Sequence, residues 1–153
     1  MSMSAGAMKA QSDPLRPLKL MTILNLILLS AQAWTGDAVN LFGAFPSGAV
    51  NGFGQFFSSL LSAGPGPLAL WHTVEGLLVF LLSIGIAVSA FRRTKSRNVR
   101  IVSLLALLFV ASAAIGGYLF VFSGYLNNAY SGQMGSSFVG AYAMNFLVLY
   151  YSK

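Results

Sequence analysis

The chain has 153 residues, of which 56% are hydrophobic and only 8% charged, and its mean hydropathy is +0.73. A soluble domain carries about 25% charged residues, so the composition points instead to a single helical membrane domain. The net charge of +6 does not indicate nucleic-acid binding, because the cations flank apolar runs and there report membrane orientation, and the lack of cysteine removes disulfides, thiolate metal sites and iron–sulfur clusters.

Residues 1–14 read as a polar, poorly ordered tail, followed by one four-helix transmembrane domain over 15–153. The first span is 15–34, with Arg16 and Lys19 at its entrance and Trp34 at its exit, the anchors of a helix held at both interfaces. The basic leader, the apolar 20–29 core and Ala31-Gln32-Ala33 also satisfy a cleavable signal peptide, with the same topology downstream. Residues 35–67 contain no Lys or Arg and are rich in Gly and Phe. Within them Phe53, Phe56, Phe57, Leu60 and Leu61 recur at helical spacing, separated by Gln55, Ser58, Ser59 and Ser62. This pattern predicts a short amphipathic helix on the outer face of the bundle or in the interface.

The second span, 68–91, is apolar over about 24 residues, where a bilayer needs ~20. It carries the lone histidine, His72, and the one acid inside an apolar run, Glu75. Three residues apart, they share a helix face. An ionisable pair inside a membrane helix is costly and is by default a functional-site hypothesis. The span stops at Arg92, Arg93, Lys95, Arg97 and Arg100, a basic turn suited to anionic headgroups. The third span is 101–123, residues 124–135 form a second loop without Lys or Arg, and the fourth span is 136–151. All nine basic residues then sort to one side, which predicts both termini and the basic turn to be cytoplasmic in the cell membrane.

Given these directions, a rise of ~1.5 Å per residue converts position into depth. Counted from the outer ends, Asn25, Glu75, Gly116 and Asn145 lie ~10–13 Å in, with His72 one turn further out beside Tyr118 and Tyr142. That arrangement predicts a polar funnel open to the outside, its floor ringed by Asn25, Glu75 and Asn145 around a Gly116-Gly117 notch. The alternative is that the two asparagines hydrogen-bond across the bundle and satisfy Glu75, as specific glue between helices. Below this level the spans are apolar, which disfavours a through-going ion path. Thr73, the nearest nucleophile type, points off the His72–Glu75 face, so no catalytic set is complete.

The segments Trp71-His72-Thr73-Val74-Glu75-Gly76, Arg92-Arg93-Thr94-Lys95 and Ala114-Ile115-Gly116-Gly117-Tyr118 resemble small four-helix membrane haem proteins, of the cytochrome b561-like and half-sized haem A synthase-like types. The resemblance implies a b-type haem held by His72 alone, by His72 with Met144 or Met134, or by histidines from two copies of the chain. The residues alone fit better a non-catalytic accessory or assembly subunit of a larger membrane complex, respiratory or otherwise. Its partners would be the lipid bilayer and other membrane subunits or further copies of itself.

Overall fold

The computed structural model describes residues 13–43, 50, 52–62 and 67–153. The expected tail up to residue 12, with Lys9, and residues 63–66 of the Gly/Phe-rich connection lie outside them. Five helices account for most of the described chain: α1 (Arg16–Phe42), α2 (Phe53–Ser62), α3 (Leu68–Arg93), α4 (Arg97–Phe122) and α5 (Asn128–Tyr151), with no strand among the described residues.

Local chemistry sets the helix ends. Pro17 occupies the first turn of α1, where its missing N–H costs nothing. Just before it, Asp13 accepts from Leu15 N at 2.8 Å and from Lys19 Nζ at 2.7 Å. The Lys19 hydrogen bond, helped by the Leu15 N–H, holds the Asp13 carboxyl below its ordinary range. Arg92 and Arg93 close α3 in its last turn, where cations meet the negative end of the helix dipole. Arg100 clasps the α3–α4 turn, donating from Nε to Thr94 O at 2.9 Å and from its terminal nitrogen to Phe91 O at 3.2 Å. Asn127 caps α5 through Ala129 N at 3.1 Å.

Two helices run further than the hydropathy pattern predicts. α1 continues two turns beyond Trp34 to Phe42, and α5 begins at Asn128 rather than near 136. In both cases the added turns find side-chain partners on a neighbouring helix: Thr35 and Gly36 on α3, Gln133 on α4. The second loop thereby shrinks to a tight turn, with Gly124 (φ 67°) and Tyr125 (φ 63°) in the left-handed region. Tyr125 is a non-glycine residue held there by a 2.7 Å bond between its hydroxyl and Ser59 of α2. Burial raises the Tyr125 phenol above its usual pKa, opposed by the Ser59 bond.

The four long helices close a ring of neighbours, α1 against α3, α3 against α4, α4 against α5 and α5 against α1, while α2 rests on α3 and α4. Along the α1–α3 seam Met21 faces Gly85, Asn25 faces Ser83, Gln32 faces Gly76 and Gly36 faces His72, an antiparallel register. Glycine permits the approach: a Cβ on Gly36 would sit 2.9 Å from His72 Cε1.

Three apolar core layers stack along the bundle. Leu18, Ile86, Ala90, Val99 and Val148 form the layer at the basic end. Leu29, Val79, Val110 and Ala141 form the middle one. Leu60, Ala69, Phe120 and Val121 form the third, at the far end under α2. Between these layers the interior is polar, with Thr22, Asn25, Ser83, Ser103 and Asn145 buried, whereas Leu20, Ile27, Leu77, Leu81, Ile101 and Leu108 face outward. Large apolar side chains outside and small or polar ones inside suit lipid as the solvent. α1, α3 and α4 are long and apolar enough to cross a membrane, and at 26 or 27 residues each they exceed a ~30 Å hydrocarbon core. The chain is an all-helical membrane protein.

Candidate functional site

The buried polar groups gather in two separate layers. The first lies between the basic-end and middle core layers. Asn25 Nδ2 donates to Ser83 Oγ and to Asn145 Oδ1, both at 3.2 Å, joining α1, α3 and α5. Asn145 Nδ2 donates to Ala141 O at 2.8 Å, which fixes its carboxamide so that Oδ1 must face Asn25. Asn25 and Asn145 are both 0% exposed, yet Asn25 Oδ1 has no partner.

The second layer lies about two turns of α3 further from the basic end and contains the ionisable pair. Thr35 Oγ1 of α1 is 2.7 Å from Glu75 Oε2 and 3.1 Å from His72 Nδ1, and Gln32 Nε2 is 3.2 Å from His72 Nε2. The polarity of this chain follows from its ends. Gln32 Nε2 can only donate, so His72 Nε2 accepts and Nδ1 carries the ring proton. Nδ1–H donates to Thr35 Oγ1, whose own hydroxyl donates to Glu75 Oε2. The arrangement ties Gln32, His72, Thr35 and Glu75 into one hydrogen-bonded row across the α1–α3 seam. Thr35 is 2% exposed and Glu75 8%, so bulk water does not compete for these bonds.

The expected single ring is thus split. Asn25 and Asn145 share a layer, but Glu75 stands one layer further from the basic end with Gln32 and Thr35. No notch opens at Gly116 and Gly117: α5 fills it, with Met134 Cγ 3.2 Å from a Gly116 Cβ position and Met134 Sδ 3.1 Å from that of Gly117. Tyr118 stacks outward on Phe122 and Phe56 of α2. Tyr142 hydrogen-bonds Ser30 at 3.0 Å and stands beside Phe138 and Phe146. Arg92, Arg93, Lys95, Arg97 and Arg100 stay together at the α3–α4 turn.

Gln32, Thr35 and Ser83 are the partners that the sequence pattern missed. Gln32 sat inside a cleavage-site reading, and Thr35 fell beyond the assumed end of the first span. The α4–α5 seam has its own polar contacts, also unforeseen: Gln133 Nε2 to Ser112 O at 3.2 Å and Ser137 Oγ to Ser112 Oγ at 2.9 Å.

The residues present do not fit a haem. Both His72 ring nitrogens are engaged by α1, and the ring edge lies against the α1 backbone at Gly36. Met144 packs with the basic-end core layer, well away from His72, and Met134 is spent on the α4 glycines. Among the described residues no three His, Asp or Glu side chains gather in a metal-binding group. No family model matches the chain, and neither the curated proteins nor the solved structures provide a match.

Proposed function

We propose that this protein is a four-span, non-catalytic subunit of a larger membrane assembly, with α5 as its contact helix. One observation carries the reading. Gly132, Gly135, Ser136, Val139 and Ala143 form an exposed stripe along α5, and nothing lies within 4 Å of a Cβ position on Gly132 or Gly135. In lipid, small residues on a spanning helix are the usual surface for close packing by another helix. α5 has 24 residues, ~36 Å of helix, which is long enough to cross. Its lower apolarity fits a helix whose outer face is covered by protein. Both polar layers, by contrast, are closed within the chain and knit α1, α3 and α5 into one body, as a scaffold needs.

In this reading both termini and the basic turn are cytoplasmic, the side on which Lys and Arg accumulate. α2 rests at the opposite, outer end, its exposed Phe57 and Leu61 at the interface. Purification of the full chain in mild detergent should bring down other membrane subunits in stoichiometric amounts. Gly132→Leu/Ser136→Leu should release them while the chain stays folded. Isolation as a lone chain whose behaviour ignores both changes would overturn the reading. A reporter after Lys153 that reads as external would overturn the topology separately. The same preparation should show no Soret band; a band that vanishes in His72→Ala would replace the subunit reading with a haem-binding one.

A further inference from the structure

At the basic end, the outward side of the α1–α3 seam opens into a groove of about 450 Å³. Met21, Gly85 and Val88 wall it, Ser89 lines it, and Arg92 and Arg93 stand at its mouth. Gly85, Val88, Ser89 and Arg92 follow helical spacing along one face of α3, so the groove runs ~10 Å from the arginines into the apolar zone. Ser89 is 8% exposed and its hydroxyl has no hydrogen-bond partner.

Charge at the mouth is unbalanced. The chain has three acids. Asp13 is bound by Lys19 at 2.7 Å, Glu75 is held by Thr35 in the seam, and Asp37 lies near the other end of α1. Arg100 is occupied by the turn. Arg92 and Arg93 are exposed and make no ion pair among the described residues. Two guanidinium forks without a protein carboxylate, set above an apolar channel, complement a phosphate joined to a hydrocarbon chain.

We infer that this groove binds one anionic phospholipid, its phosphate between Arg92 and Arg93 and an acyl chain along Met21, Gly85 and Val88. Free phosphate would use the arginines alone and leave the groove unfilled, so the hydrocarbon selects the lipid. The inference deepens the placement of the basic end against anionic headgroups, and it does not depend on the α5 contact.

Native mass spectrometry of the full chain tests it, with phosphatidylglycerol and phosphatidylcholine of matched acyl chains. One phosphatidylglycerol should stay bound where phosphatidylcholine is lost. Arg92→Gln and Arg93→Gln should each weaken retention about fivefold, whereas Lys95→Gln/Arg97→Gln should matter less. Ser89→Leu, which fills the groove without changing charge, should abolish the one-lipid adduct. Equal retention of both lipids, or retention unaffected by the Arg92, Arg93 and Ser89 changes, would overturn the site. Displacement of the lipid by millimolar inorganic phosphate would overturn the role of the acyl chain. Lipid retention in detergent is read without reference to topology or partners, so those proposals can fail independently.

Discussion

Replacing Thr35 with Val removes one hydroxyl at nearly constant volume and cuts the His72–Thr35–Glu75 chain at its centre. Three contacts are lost, at 2.7 Å to Glu75 Oε2, 3.1 Å to His72 Nδ1 and 3.2 Å to Gln32 O. Hydrogen bonds inside membrane bundles average ~0.6 kcal/mol and reach ~1.7. Leaving a buried polar group unsatisfied costs a further ~1–3 kcal/mol. With Thr35 at 2% exposure and Glu75 at 8%, water cannot substitute without opening the seam. The expected loss is about 2 kcal/mol, a roughly 30-fold shift toward the unfolded state. Glu75→Gln keeps an acceptor for the Thr35 hydroxyl and should cost less than ~1 kcal/mol. The double variant Thr35→Val/Glu75→Leu should cost less than the sum of its single changes by ~1 kcal/mol, because the residues touch. Equilibrium unfolding in mixed micelles, followed by the intrinsic fluorescence of Trp34 and Trp71, measures all of these. If Thr35→Val stays within ~0.5 kcal/mol of the native chain, or Glu75→Gln costs more than Thr35→Val, the hydroxyl is not the link that joins α1 to α3.

Three further outcomes are expected. Asn25→Leu and Asn145→Leu should each cost ~1–2 kcal/mol in the same unfolding assay, while the double variant should be no worse than either, since apolar replacement of both partners leaves little unpaired. Gly140→Ala should destabilise by ~1–3 kcal/mol, because its Cβ would lie 2.6 Å from the Phe109 ring, whereas Gly132→Ala should be neutral or stabilising by up to ~1 kcal/mol in the isolated chain. The Asp13–Lys19 pair lowers the Asp13 pKa, so its stabilising effect is present above the ordinary carboxylate range and is lost as pH falls through the lower folded value. An acid titration of the first turn of α1, followed by amide NMR, should show that loss in the native chain and a flat response in Asp13→Asn.

Much of the architecture is written locally. Hydropathy along 68–91 and 101–123 marks two spans, because each residue's transfer preference is its own property and adds along the helix. The clustering of Arg92 to Arg100 between them sets a basic turn for the same reason. α2 is legible from the spacing of Phe56, Phe57, Leu60 and Leu61, although its seat on Tyr125 through Ser59 is not. The joining of Asn25 and Asn145 is partly legible, since depth counting puts both near one level.

The membership of the ionisable site was decided only by tertiary structure. Depth counted from Trp34 assumes that the first helix ends there, but α1 runs eight residues further to Phe42, a shift of ~12 Å along the helix. That displacement brings Thr35, not Asn25, opposite Glu75. Hydropathy could not show it, because Thr35 and Gly36 favour no membrane depth and gain their place from partners on α3. Nor could it show that Met134 fills the Gly116-Gly117 notch, which depends on how α5 is rotated against α4. Composition and hydropathy pick out the apolar segments, and charge order gathers the basic residues at one end of the bundle. The pairing of polar atoms across the seams depends on helix length, rotation and register, and these are set by contacts between residues 21 to 120 apart in the chain.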